Sequence, residues 1–200
     1  MGDAFFSLTL SEQDRLRIRN SRVFFTDLLP GPAAGEGLRE ARRGGAASAA
    51  GMEVDLDTMK ALGVSREQIE REIAMADVFA PCRAGLYQLT GRENPGEAAS
   101  VIRKNFGGIL LLTRGSQGSL AYLPDGTCVS VSACPVEAVD TTGAGDSYMG
   151  AFMHAFMVQH RPLRESMEFD LIQSSFDMHG TGGPLLSSGY REEKNDGQGQ

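Results

Sequence analysis

The run Ile109-Leu110-Leu111-Leu112, bracketed by Gly107-Gly108 and Gly115, constrains the fold more than any other stretch of the chain. Four successive aliphatic residues leave no polar side for water, so a strand built from them must be covered on both faces. Sheets covered on both faces are mainly parallel and carry helices above and below, which is the α/β class. The rest of the sequence supplies the alternation such a sheet needs. Val23-Phe24-Phe25 reads as a short buried strand and Asp77-Val78-Phe79-Ala80 as another, stopped by Pro81. Met52 to Leu56 reads as a further strand. Leu120 to Leu123, a Pro124-Asp125-Gly126 turn and Cys128 to Val131 read as a hairpin. Between them lie helical stretches. Ser11 caps Glu12 to Arg19, with Asp14 in the capping-box region. A helix through Leu38 and Ala41 ends at Gly44-Gly45. Ser65 with Gln68 forms a capping box before Ile69 and Ile73, and Gly96 to Asn105 is helical. The small-residue stretch from Gly44 to Gly51 reads either as a linker or as a strand in close approach. Ala144 to Val158 is a long apolar helix, and the tail from Gly180 has the Gly, Ser and charge content of disorder.

Composition narrows the function classes. The 200 residues carry a formal charge of −7, which argues against nucleic acid or an anionic membrane surface as partner. No apolar run approaches bilayer length, and MGDAFFSLTL lacks a basic n-region. Three cysteines (Cys82, Cys128, Cys134) include no C-x-x-C pair, so neither a disulfide frame nor a zinc site is expected. Cys128 and Cys134 read as buried structural thiols, and His154 as an ordinary helix histidine. The Arg39, Arg42, Arg43 cluster reads as a solvated helix end beside its own dipole. The expectation is a cytoplasmic protein.

Chemistry concentrates in Asp140-Thr141-Thr142-Gly143-Ala144-Gly145-Asp146-Ser147, which opens directly into the apolar helix of Tyr148, Met149, Phe152 and Met153. Small residues let backbone approach a ligand, and the free N–H groups of a helix start attract an anion. A carboxylate in that place repels an anion unless it has a task. Asp146 placed there suits a general base beside an anion cradle formed by the amides of Ala144, Gly145 and Asp146. A bare G-x-G-D is equally an ordinary helix start with a dipole-compensating Asp.

The longer string from Asp140 through Met153, DTTGAGDSYMGAFM, resembles the C-terminal signature of the pfkB, or ribokinase-like, family of sugar and nucleoside kinases at every position. Upstream, Leu111 to Ser119 (LLTRGSQGS) resembles the family's strand and T-x-G-x-x-G turn along the nucleotide phosphates. Ala76 to Pro81 followed by Leu89-Thr90-Gly91 is similar to another family segment. The resemblance implies a three-layer α/β/α sandwich that transfers the ATP γ-phosphoryl group to a hydroxymethyl group. It implies Asp146 as base, Gly143, Ala144 and Gly145 as anion hole, and Thr113, Gly115 and Gly118 on the ATP side. It implies Mg2+ with ATP, and a monovalent cation such as K+ near Asp140 and Thr142. The implied partners are ATP and a small sugar or nucleoside-like acceptor.

Two departures accompany the resemblance. Where the family carries the N-x-x-E motif that organises Mg2+ and phosphate, this chain has Cys82-Arg83-Ala84-Gly85, with no side-chain oxygen at either end. Before Arg22 there is no counterpart of the family's early strands, acceptor-binding residues and lid. The expected organisation is therefore a partial kinase domain over residues 1–180 and a disordered tail over 181–200, with a sheet edge that a second copy or a missing N-terminal segment would complete. Besides a carbohydrate kinase, the sequence leaves open a non-catalytic nucleotide-binding remnant and a fragment of a longer sugar kinase.

Overall fold

The computed structural model describes residues 6–133 and 143–168. The apolar approach at Val136 to Val139, Cys134, Asp140, Thr142 and the C-terminal tail lie outside the described residues. The chain opens with α1 (Glu12–Arg19), followed by β1 (Val23–Thr26), α2 (Gly31–Gly44), β2 (Ala47–Met52), α3 (Leu56–Ala61) and α4 (Arg66–Ile73). Next come β3 (Val78–Pro81), α5 (Arg83–Thr90), α6 (Pro95–Ile102) and β4 (Ile109–Thr113). A turn of 3-10 helix at Gly115–Gln117 leads to β5 (Ser119–Tyr122), β6 (Cys128–Val131) and α7 (Ala144–Phe152).

The six strands form one sheet in sequence order. β1 to β4 run parallel, with Val23 beside Ala47, Ala49 beside Val78 and Val78 beside Ile109. β5 and β6 turn back antiparallel, Leu111 facing Ala121 and Ala121 facing Val129. Side chains alternate across the sheet, as strand geometry requires. Ala50, Met52, Phe79, Leu110, Leu112 and Leu120 enter one core with Leu38, Ile69, Leu86 and Ala99 of the helices above. Ala49, Val78, Ala80, Leu111 and Ala121 enter the other, under Tyr148, Met149 and Phe152 of α7. The expected doubly covered strand at Ile109–Leu112 is thus the seam of two cores, and the architecture is a three-layer α/β/α sandwich.

Local chemistry sets the element ends. Ser11 and Asp14 form a complete capping box: the Asp14 amide donates to Ser11 Oγ at 3.2 Å and the Ser11 amide to Asp14 Oδ2 at 3.0 Å. Gly45, at φ 75°, ends α2 in the left-handed conformation that glycine adopts without penalty. α1 is held to α2 by ion pairs from Arg15 to Glu36 and from Arg19 to Glu40. Glu40 is 2% exposed, and the Arg19 guanidinium holds its carboxyl below the usual range, with Arg43 adding to the effect.

Several expectations change. The small-residue stretch is a strand, β2, buried from Ser48 through Met52; alanines and Gly51 let neighbouring elements close over both faces. Met52 to Leu56 is not a strand: β2 ends at Met52, and Asp55 accepts from the Thr58 amide at 2.8 Å to start α3. β1 lies at the sheet edge and only Thr26 of it is buried; Phe25 is 37% exposed because no further strand covers it among the described residues. Cys128 is exposed rather than buried, because it begins the opposite edge strand. The apolar helix from Ala144 winds regularly only to Phe152. Over Met153–Val158 it loosens to i→i+5 bonding, with the Gln159 amide donating to the His154 carbonyl at 2.9 Å.

Candidate active site

In an open α/β sheet the ligand crevice lies beyond the carboxyl ends of the parallel strands. Four described segments reach that rim. β1 leads to Asp27, β2 to Glu53, β3 to Cys82 and β4 to the turn Arg114–Gly118. Leu28, with φ 65° and a fully buried side chain, fixes the chain beyond β1, where its amide donates to Thr26 Oγ1 at 3.1 Å. A non-glycine residue in that conformation persists only where its surroundings over-determine it.

α7 brings Asp146 to the same rim. Its apolar face is anchored in the second core through Tyr148, Met149 and Phe152, so its first turn is held against the sheet. Gly143 is the N-cap at φ 79° and has no side chain with which to cap the first amides. That differs from the Ser, Asp or Asn caps of α1, α3, α4 and α6, whose side chains occupy those donors. Asp146 lies in the first turn and is exposed, as are Gly143 and Gly145.

Glu53 faces this helix start. A Cβ placed on Gly145 would lie 3.8 Å from Glu53 Oε2. Burial pushes the Glu53 carboxyl above its usual range, and the charges of Asp146 and Asp27 push it further. Asp27, Glu53 and Asp146 are therefore electrostatic neighbours. Sequence reading missed Asp27 and Glu53. Each is the first residue after a parallel strand, but reading Met52 to Leu56 as a strand concealed Glu53.

Thr113 ends β4, exposed, two strands along the sheet from β2. Gly115 has φ 55° and Gly118 has φ 82°. Gly118 is required twice over, because a Cβ there would overlap Val131 O and approach Ala133 N to 2.7 Å. Arg114 folds onto its own turn, donating to the Gln117 carbonyl at 2.9 Å. Asp140 and Thr142, expected beside a monovalent cation, lie outside the described residues.

The turn after β3 does not fit a hard cation. Cys82 is the N-cap of α5, its Sγ accepting from the Gly85 amide at 3.3 Å. Burial pushes the thiol pKa up, which keeps it neutral. Gly85 is closely packed as well: a Cβ would lie 3.0 Å from Met52 Cε and 3.1 Å from Val54 O, tighter than ordinary van der Waals contact. Among the described residues no group of three or more His, Cys, Asp or Glu side chains is placed to hold a metal.

Comparison with known proteins agrees with this architecture. The family described as pfkB family carbohydrate kinase matches residues 4–169. Ribokinase of Schizosaccharomyces pombe is 45% identical over 60 residues, which span 30% of this chain and 19% of that protein. The adenosine kinase structure from Sinorhizobium meliloti superposes with a TM-score of 0.73 at 21% identity, covering 89% of this chain and 56% of that one. Arabidopsis thaliana ribokinase complexed with ribose and ATP gives 0.71 at 20% identity, covering 86% of this chain and 55% of that one. The chain thus spans a fraction of the curated relative's length and little more than half of each solved neighbour. Among the described residues no helix is long and apolar enough to cross a membrane. The chain belongs to the pfkB family of carbohydrate kinases.

Proposed function

We propose that this chain carries the phosphoryl-transfer half of an ATP-dependent kinase acting on a hydroxyl of a sugar or related small alcohol. The observation that carries the reading is the exposed Asp146 in the first turn of a glycine-capped helix, at the carboxyl rim of a parallel sheet. Asp146 accepts the proton of the acceptor hydroxyl. The hydroxyl oxygen then bonds to the γ-phosphorus, and the bond to the bridging oxygen of ADP breaks. The amides around Gly143, Ala144 and Gly145 face the charge that develops on the transferring group. Thr113, Gly115 and Gly118 line the nucleotide side. Glu53 lies beside Asp146, and burial together with the charges of Asp146 and Asp27 pushes the Glu53 carboxyl up. That ATP and a sugar occupy the Arabidopsis ribokinase structure supports the same pair of ligands here.

The Cys82–Gly85 turn offers Mg2+ no side-chain oxygen. The same turn favours a second reading, a nucleotide-binding module without turnover. ATP-dependent phosphorylation across a panel of sugars and nucleosides, with Asp146→Asn as control, separates the two. Turnover that falls 10²-fold or more in the variant, the scale of general-base catalysis, supports the kinase. Nucleotide binding without turnover in either protein supports the binding module. Turnover unchanged in Asp146→Asn removes Asp146 from the mechanism.

A further inference from the structure

α2 carries Gly31 and Gly35 one turn apart, and α4 carries Gln68 and Glu72 one turn apart. A Cβ on Gly31 would lie 2.5 Å from Gln68 Nε2, and one on Gly35 would overlap Glu72 Oε1. The two glycines thus open a slot in α2, and the Glu72 carboxyl fills it. An apolar pair would close these helices without desolvating an ionisable group.

The slot suits a neutral carboxyl better than a carboxylate. Glu72 is 5% exposed. Its Oε1 accepts from Gln68 Nε2 at 2.9 Å, and its Oε2 is buried with no hydrogen-bond partner. An ionised carboxylate has about four acceptor sites to fill, and a single donor leaves most of its charge without solvation. Burial accordingly pushes the Glu72 carboxyl above its usual range, against the opposing pull of Gln68, Arg39 and Arg71. Arg39 acts from α2 and Arg71 from the helix of Glu72 itself, and both side chains are exposed. The neighbouring acids are engaged elsewhere: Glu36 with Arg15, Glu40 with Arg19 and Arg43, and Glu70 with Arg66.

The same carboxyl has a second seat. Beside the slot lies an open groove of about 470 Å3, lined by Pro32, Arg39, Gln68, Arg71, Glu72 and Met75. Rotation of the Glu72 side chain carries the carboxyl out of the slot, into water and toward two guanidinium groups. The slot is a place for the neutral form, and the groove is a place for the ion.

We propose that Glu72 is a pH-sensitive latch: neutral, it sits in the slot at Gly35 and locks α4 to α2; ionised, it turns out to Arg39 and Arg71 and leaves the slot empty. The proton passes to solvent, and no other group changes charge. The stabilising effect of the closed latch is complete below the unfolded glutamate value of about 4.3 and is lost as pH rises through the higher folded value. The latch lies on the helical layer opposite α7, so Asp146 takes no part in it.

Glu72→Gln keeps the shape of the neutral form and cannot ionise, so it tests the latch in the full chain. Urea unfolding of wild type and variant is followed from pH 4 to pH 9. The ratio of their unfolding constants should be flat near pH 4, move in favour of the variant by up to tenfold per pH unit above that, and then level off. A ratio independent of pH, or one that moves toward wild type, would overturn the proposal. Nuclear magnetic resonance of the folded protein reads the slot directly. The Overhauser contact between the Glu72 side chain and Gly35 Hα should be present at pH 4.5 and lost at pH 8 in wild type, and kept at both in Glu72→Gln. Its persistence in wild type at pH 8 would overturn the release. Arg39→Ala/Arg71→Ala, which alters only exposed side chains, should move the loss of that contact upward by about half a pH unit or more. An unmoved transition would overturn the groove as the second seat.

Discussion

Replacing Gly118 with alanine isolates the backbone demand of the turn proposed to line the nucleotide. Gly118 has φ 82° and ψ −139°, a region that side-chain-bearing residues enter at a cost of about 1–3 kcal/mol. The added Cβ also meets backbone: it overlaps Val131 O, and lies 2.7 Å from Ala133 N and 2.8 Å from Ser132 C. None of these atoms can rotate away, so the end of β6 must shift, at a further cost of about 1–3 kcal/mol. Gly115→Ala, three residues earlier, is the control. Gly115 has φ 55° and a Cβ there meets nothing within 4 Å, so its expected cost is about 1 kcal/mol. The two variants should differ by about 3 kcal/mol, within a range of about 1–5. With a urea slope near 2 kcal/mol per molar, that places the Gly118→Ala midpoint about 1.5 M below that of Gly115→Ala. Equilibrium urea unfolding followed by far-UV circular dichroism measures both. Midpoints within about 0.2 M of each other would show that the contact between Gly118 and β6 does not constrain the turn, and the reasoning would fail.

Other parts of the structure give further tests. Phe79→Ala removes a fully buried ring packed edge-on against Phe106 at 6.1 Å, and should lower the unfolding free energy by about 3–5 kcal/mol in the same assay. Arg103 donates to the carbonyls of Phe106, Gly108 and Tyr122; Arg103→Lys loses the fork and should cost about 1–3 kcal/mol, read as a lower urea midpoint. The Glu40 carboxyl is held below its usual range, so its stabilising effect is complete above the unfolded value near 4.3 and fades as pH falls through the lower folded value. Melting temperatures of wild type and Glu40→Gln should therefore differ most at neutral pH and converge on acidification. A constant gap down to pH 3 would remove the ionised Glu40–Arg19 contact as the cause.

Much of the layer order was legible because it rests on period and burial. Ile109 to Leu112 announced a strand between two cores, and Val78-Phe79 and the hairpin at Pro124-Asp125-Gly126 fell where expected. Ser11, Ser65 and the helix stop at Gly45 were legible because capping is a contact within a few residues of sequence, but the Ser65 box is incomplete, since the Gln68 side chain donates to Glu72 instead of reaching back. β2 was legible only as one of two alternatives: ASAAGM has neither β-branched residues nor alternation, and the sheet around it decides for the strand. α5 was missed for a related reason, since its cap is the thiol of Cys82 rather than a hydroxyl or carboxyl oxygen.

The sequence by itself determined the α/β class, the position of the acidic helix start at Asp146 and the lack of side-chain oxygen at Cys82 and Gly85. These depend on residue type and on neighbours a few positions away. Only the tertiary structure decided that Asp27 and Glu53 share the rim with Asp146. It likewise decided that Gly118 is locked against β6, and that Gly31 and Gly35 open a slot for Gln68 and Glu72. Each of those relations joins residues far apart in the chain, and a parallel sheet fixes such distances only after every crossover helix has packed.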